Sequence, residues 1–217
     1  MTIADIKAYR PESNSLGSGQ VIHCPYPYEK AKLVVREMTD LLVLDLVDKG
    51  LVTDQMVLTI GYDRENLSNP EIAKVYSGPV TMDHYGRPVP KHAHGTVNLG
   101  CHTSSTREIL DGVMELFDRI VNPYLLVRRV NIVANHVLPE GKISRQPEVV
   151  QLDLFADPAE EQNREAEEAI RQREKRRQQA VLQIRKKYGK NAILKGMNFE
   201  EGATARDRNS QIGGHKA

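Results

Sequence analysis

Cysteine is scarce in this sequence of 217 residues, and its scarcity excludes two kinds of architecture. Cys24 and Cys101 are too few and too far apart to form a disulfide framework or a zinc site made from cysteine pairs. No segment resembles a secretory signal, and no run of about twenty apolar residues could span a membrane. We therefore expect a protein of the reducing cytoplasm with no membrane partner.

Clustered carboxylates are also missing. A catalytic site with two metal ions needs two or three carboxylates gathered beside strands, because the charge that develops on the reacting oxygens must be neutralised. The acidic residues closest to such a pattern are spread over a predicted helix, strand ends and a loop: Asp40, Asp45, Asp48, Asp54, Asp63 and Asp83. We interpret them as solvated carboxylates and assign no catalytic residue.

Histidine offers neither a clear metal site nor a base for a nucleophile. His92 and His94 lie in residues 91–95, which carry no cysteine or carboxylate at ligand spacing, so an exposed loop explains them more simply. Cys24 directly follows His23, and neighbouring side chains in a strand point to opposite faces, so a catalytic pair is not expected. We predict no metal site and no cofactor in this chain.

The formal charge of +1 conceals one strongly basic segment. Residues 163–190 contain ten Lys or Arg and four Glu, which gives a local balance of +6. Between Arg171 and Lys187 the large apolar residues are few, namely Val181, Leu182 and Ile184. The composition predicts a helix that is solvated by default, with DNA or a recombinase filament as the alternative partner for its surface.

Apolar residues are concentrated before residue 137, and their spacing predicts one globular domain. Strand-like alternation and the 3.6-residue helical period follow one another in the order β-α-β-β-α-β. The predicted elements are a strand beginning in residues 20–24, a helix at 28–49, strands at 53–62 and 95–101, a helix at 104–121 and a strand at 125–137. This order predicts an α+β fold of the ferredoxin-like kind, a small sheet with two helices on one face.

Composition divides the chain into four parts. Residues 1–19 are predicted to be a linker and residues 20–139 the globular domain. Residues 140–160 are predicted to be a flexible segment, and residues 161–217 a partly helical tail that begins basic and ends polar. The conformation of this tail is left open by the sequence.

The segment after the domain contains a compact apolar anchor. Its residues are Gln151, Leu152, Asp153, Leu154 and Phe155. Leucine and phenylalanine side chains in such a polar segment have no core of their own to enter, and the glutamine amide can bond at the edge of a pocket. The physical pattern is equally compatible with a peptide that docks on a partner and with a turn that packs back on the domain.

A family resemblance favours the docking peptide over the turn. The pentapeptide resembles the motif by which bacterial polymerases and repair proteins dock on the β sliding clamp, and it favours clamp binding. Other segments resemble the little-finger domain and C-terminal end of Y-family translesion polymerases of the UmuC type: residues 6–11, 14–20, 91–96, 126–130, 203–209 and 211–217. The resemblance covers nearly the whole chain.

In that family a catalytic palm, fingers and thumb precede the little finger and hold the Mg²⁺ ions. The sequence begins in what looks like the linker between thumb and little finger, so we expect no polymerisation by this chain alone. The resemblance implies a nucleoid-associated protein of the SOS damage response. Its implied partners are primer-template DNA and the β clamp, with the catalytic part of a polymerase and a recombinase filament as further candidates.

The resemblance also implies contacts with DNA phosphates at the start of the domain. Ser15, Gly17, Ser18 and Gly19 are small enough for backbone N–H groups to approach phosphate oxygens closely. The alternative is that they form a flexible linker. Lys91 is a weaker candidate.

Two further groups could contact phosphates. Arg128 and Arg129 lie in the last predicted strand, where alternation sends one side chain to each face, so one would bind phosphate and the other pair with an acidic residue or lie along a sheet edge. Ser104, Ser105 and Thr106, followed by Arg107, stand at a predicted helix start, where free N–H groups attract an anion. These hydroxyls could equally serve only as helix caps.

Two rival hypotheses remain open at this point. One is a clamp competitor, or a gene remnant, with no polymerase partner. The other is an unrelated enzyme of similar fold that uses His92 or His94, although the sequence offers no convergent acid, base and oxyanion donors for it.

Overall fold

The computed structural model describes residues 14–142, 158–212 and 215–216. The β-α-β-β-α-β order and the α+β class are confirmed. The strands are β1 (Leu16–Tyr26), β2 (Leu51–Tyr62), β3 (Val80–Met82), β4 (Pro88–Pro90), β5 (Ala93–Thr103), β6 (Val127–Asn135), β7 (Leu138–Pro139), β8 (Gln211–Ile212) and β9 (His215–Lys216). The α-helices are α1 (Tyr28–Asp48), α2 (Glu65–Ser68), α3 (Pro70–Val75), α4 (Thr106–Ile120), α5 (Pro158–Tyr188) and α6 (Ala205–Asn209), with 3-10 helices at Glu140–Lys142 and Gly196–Phe199.

The main sheet is antiparallel, and its long strands lie in the spatial order β1-β6-β2-β5. The short strand β7 pairs with the start of β2. Helices α1 and α4 cover one face, where alternate strand residues such as Met56, Leu58 and Ile132 are completely buried. Since a strand sends successive side chains to opposite faces, the other face of the sheet is left open.

The two long helices follow the predicted periodicity. In α1, apolar residues including Val34, Met38 and Leu42 recur at helical spacing and enter the core. Gly50 follows the end of this helix. Its φ of 62° lies in the left-handed region, which is unfavourable for a residue with a side chain. Helix α4 begins after Ser105, whose side chain accepts a hydrogen bond from the Glu108 backbone N–H at 3.3 Å.

Gly95 brings α4 close to the sheet. A Cβ at this position would lie 2.9 Å from Leu116 Cδ1 and 3.0 Å from Ile120 Cγ2, both on α4. A larger residue would therefore force these side chains, or the helix that carries them, to shift away from β5.

A polar cluster joins the exposed ends of the two long helices. The Tyr28 hydroxyl donates to Asp118 at 2.6 Å, and Lys32 Nζ lies 2.6 Å from the same carboxylate. Burial, together with this hydrogen bond, raises the pKa of Tyr28 to about 12. Burial acts to raise the pKa of Asp118, but the hydrogen bonds from Lys32 and Tyr28 outweigh it and lower that pKa.

Two regions carry more structure than the sequence predicted. Strand β1 begins at Leu16 rather than near residue 20, because its glycine-containing start pairs residue by residue with β6, from Leu16 opposite Ala134 onward. The connection between β2 and β5, predicted only as a long loop, contains α2, α3 and the β3–β4 hairpin. Asn69, which caps α3, and Pro70 at its first position were the local signals for a helix there.

The tail folds back onto the helices. Gln178 of α5 is 5% exposed, and its side-chain amide donates to the Ser104 carbonyl and to the Thr106 hydroxyl, both at 2.9 Å. Lys186 pairs with Asp48 at the end of α1. In the described part of the chain, no helix combines the length and apolar character required to cross a membrane.

The final part of the tail is held by one buried carboxylate on α1. Glu37 is 1% exposed and accepts hydrogen bonds from Asn198 Nδ2 at 2.7 Å, the Thr204 backbone N–H at 2.7 Å and the Ala205 backbone N–H at 3.0 Å. Nearby, Arg208 donates to the Gln20 side chain at 2.9 Å, and burial lowers the pKa of this guanidinium. A buried carboxylate is tolerated when its oxygens are hydrogen-bonded, and these donors meet that requirement for Glu37, whereas Arg208 Nη2 is buried without a hydrogen-bond partner among the described residues.

The Glu37→Ala substitution should destabilise the folded protein by about 3 kcal/mol, because it leaves several buried donors without an acceptor. Urea unfolding would measure the loss, and hydrogen exchange at the Thr204 and Ala205 amides should become faster. Glu29→Ala, which removes an exposed carboxylate from the same helix, should stay within about 0.5 kcal/mol of the unchanged protein. Equal stability of the two variants would contradict this account of the tail.

Candidate nucleic-acid interface

The face of the sheet that α1 and α4 leave uncovered is termed the open face. Strand registers place its residues in rows across β1, β6, β2 and β5. The residues of these rows are Gly17, Val133, Val57 and Thr96; Gly19, Asn131, Thr59 and His94; Val21, Arg129 and Gly61; and Asn135, Gln55 and Asn98. None of these side chains is acidic, and the ionisable side chains in the rows are Arg129 and His94.

Hydrogen bonds between strands orient the polar side chains of this face. Gln55 Nε2 donates to Asn98 Oδ1 at 3.0 Å, and Asn135 Nδ2 donates to Gln55 Oε1 at 3.1 Å. The Thr59 hydroxyl and His94 Nδ1 are 2.9 Å apart. Fixed amides and hydroxyls of this kind can offer hydrogen bonds to a ligand without first being ordered.

Strand β1 gives the open face an edge made largely of backbone. Gly17 and Gly19 lie on it, and an added Cβ would meet Val133 Cγ2 at 3.2 Å or Asn131 Oδ1 at 3.3 Å. In the described sheet β1 pairs with β6 alone, so alternate backbone N–H groups point away from the sheet. Ser18 has the opposite parity and turns toward the helices, whereas Ser15 is exposed just before the strand.

The two arginines of β6 have different surroundings. Arg129 is exposed on the open face, beside Gly61, where the missing side chain leaves room for it. Arg128 donates to the His23 carbonyl at 2.9 Å, and its Nε is 3.7 Å from the Asp63 carboxylate. Arg129 is therefore the residue of the pair that is available to a ligand on the sheet.

The N-terminus of α4 is engaged by the tail. Glu174 of α5 accepts from the Ser105 hydroxyl at 2.7 Å and from the Arg107 backbone N–H at 3.2 Å. The donors that the sequence suggested for a phosphate thus bind a carboxylate of the same chain, while Ser104 and Thr106 bind Gln178. The Arg107 side chain remains exposed.

Lys91 and the nearby histidines lie at the start of β5. Lys91 is exposed, and its backbone N–H donates to the Pro79 carbonyl at 2.8 Å. The rings of His92 and His94 are edge to face, with centroids 6.5 Å apart. Residues 14–142 and the described tail contain no group of three His, Cys, Asp or Glu side chains arranged to hold a metal ion.

Sequence reasoning missed most of the open face. It assigned Gly17, Gly19 and Arg129 but not the polar row members Gln55, Thr59, His94, Asn98, Asn131 and Asn135. The available signal was the alternation along each strand, since these residues alternate with buried apolar ones in β2 and β6 and with partly buried ones in β5. The clamp pentapeptide, residues 151–155, lies outside the described residues.

A comparison with protein families identifies the domain. The model of the impB/mucB/samB family C-terminal domain matches residues 15–154, which is more than half of the chain. The chain belongs to the impB/mucB/samB family. It therefore corresponds to the C-terminal part of a Y-family polymerase of the UmuC type, in DNA damage tolerance. The comparison with curated proteins returns no match.

Proposed function

We propose that the chain binds primer-template DNA along its open face and tethers a translesion polymerase to the β sliding clamp through residues 151–155. The observation that carries the DNA part is a polar open face with Arg129 and no carboxylate in its rows. A surface without acidic groups avoids repulsion of phosphates, and neutral amides can donate to them.

The chemistry of this face suits a grip on the DNA backbone. Backbone contacts fix the position of a duplex but carry no direct sequence information, so distorted DNA is tolerated. The glycines of β1 allow a phosphate to approach the edge N–H groups, and Arg129 supplies a charged fork of donors. Such binding should be sensitive to salt and indifferent to sequence.

Clamp tethering is supported by the pentapeptide sequence together with its position next to this domain. A second attachment makes rebinding to DNA intramolecular, so that weak contacts with DNA suffice at a primer end.

Arg129→Gln should weaken binding to a primer-template duplex and lower the slope of log affinity against log salt by about 0.9, because one phosphate contact is lost. Fluorescence anisotropy with a labelled duplex at several salt concentrations measures both quantities. Arg36→Gln is the matched control, since it removes the same charge from an exposed position on α1, on the other side of the sheet. Equal losses in the two variants would count against the open face.

The double substitution Leu154→Ala and Phe155→Ala should abolish binding to the bacterial β clamp. For the unchanged chain we expect a micromolar dissociation constant, on the order of −8 kcal/mol, in a calorimetric titration. Val149→Ala with Val150→Ala removes apolar groups from the same segment outside the pentapeptide and should leave the affinity unchanged. Binding that persists in the first double variant would show that the pentapeptide is not the anchor.

A further inference from the structure

The two sides of helix α5 differ in their charged residues and in the partners of those residues. The side that faces the domain carries Glu174 and Gln178, which bind the start of α4. Three cations on the same side have acidic partners in the domain: Arg171 lies 3.4 Å from Glu108, Lys175 lies 2.6 Å from Glu140, and Lys186 pairs with Asp48. A fourth, Arg185, donates to the Ile193 carbonyl within the tail at 3.3 Å. These contacts dock the helix on the domain and give the side chains of the inward side a structural role.

The outward side of α5 has a different composition. Residues spaced alternately four and three apart lie on one line along a helix, and we term this line the outer stripe: Ala169, Arg173, Arg176, Ala180, Gln183 and Lys187. All six are exposed, and none is acidic. Arg177, also exposed, lies beside the stripe. A solvated helix usually mixes charges of both signs on its surface, so a stripe with cations alone is typical of a surface for polyanions.

An exposed aromatic ring stands at the end of the outer stripe. Tyr188 is 67% exposed, and Lys187 Nζ lies 5.1 Å from the centroid of its ring. An aromatic face beside cations is the combination on which unpaired bases stack while their phosphates are neutralised. Bases inside a duplex are already stacked and cannot use such a ring.

The outer stripe is separate from the open face of the sheet. Helix α5 packs against α1 and the start of α4, and these two helices cover the opposite side of the sheet. Arg173 and Lys187 are about 21 Å apart along the helix, which is enough for several nucleotides. The buried Gln178 holds the helix in place, so the stripe is presented in a fixed orientation.

We propose that the outer stripe of α5, together with Tyr188, binds single-stranded DNA. This surface acts independently of a duplex on the open face and goes beyond the function proposed above. Phosphates contact Arg173, Arg176 and Lys187, and one base stacks on the Tyr188 ring.

The test is binding of the full chain to a labelled oligodeoxythymidine, followed by fluorescence anisotropy over a range of salt concentrations. The triple variant Arg173→Gln, Arg176→Gln and Lys187→Gln should bind at least tenfold more weakly, and its salt slope should fall by about 2, because each phosphate contact on a single strand contributes about 0.7. Tyr188→Ala should bind about tenfold more weakly with an unchanged salt slope, and Tyr188→Phe should restore the affinity.

Matched controls separate this proposal from general charge effects. Arg36→Gln with Arg64→Gln and Lys74→Gln removes the same charge from exposed positions elsewhere and should keep the affinity for the oligonucleotide within about twofold. Circular dichroism should confirm that the helical content of every variant is unchanged. A loss in this control as large as in the stripe variant, or no loss in the stripe and Tyr188→Ala variants, would overturn the proposal.

A duplex probe distinguishes failure here from failure of the open face. The stripe variant should retain its affinity for the primer-template duplex. Arg129→Gln should lower the affinity for the duplex and leave the affinity for the oligonucleotide unchanged. If the chain binds the oligonucleotide through the stripe but no duplex at all, this proposal stands and the proposed role of the open face falls. If an unlabelled duplex displaces the oligonucleotide stoichiometrically, the two surfaces are not independent, and the proposal is wrong.

Discussion

Pairing of β6 with β1 on one side and β2 on the other joins the two halves of the sheet. Each residue of β6 is thereby committed to one face. Val130 and Ile132 are buried under the helices, and Arg129 and Asn131 are exposed on the open face. A shift of this strand by one residue would bury the arginine and expose the apolar side chains, so the core and the open face are specified by the same register.

The tail depends on a second constraint, the desolvation of Glu37. A carboxylate on the buried side of a helix must find donors, and in this chain they come from residues near the C-terminus. The domain and its tail are consequently joined by directional hydrogen bonds. Such a joint has one geometry, because displaced donors would leave the charge unsolvated.

The order of the main elements could be predicted because the spacing of apolar residues that marks a strand or a helix lies within each element. Met56, Leu58 and Ile60 alternate within a few residues, and Ile109, Val113 and Leu116 share one helical face. The docking of the tail could not be predicted in this way, since Glu174 and Ser105 meet across a long sequence separation without any shared pattern. Glu37, next to the buried Met38, was the one local sign, because an acidic residue on an apolar face implies a distant partner.

The site was partly predictable for a similar reason. Gly17, Gly19 and Arg129 stand out as residue types, whereas Gln55 and Asn98 are ordinary residues whose importance comes from lying side by side on neighbouring strands. The register describes which residues of neighbouring strands lie opposite each other, so it cannot be read from the sequence of one strand.

The docking of the chain on both sides of residues 143–157 has a consequence for proteolysis. Lys175 binds Glu140 just before this segment, while Gln178 and the donors to Glu37 fasten the chain after it. A cut between the two attachments would break the polypeptide but not the assembly. The two fragments would remain associated through these contacts as a noncovalent complex.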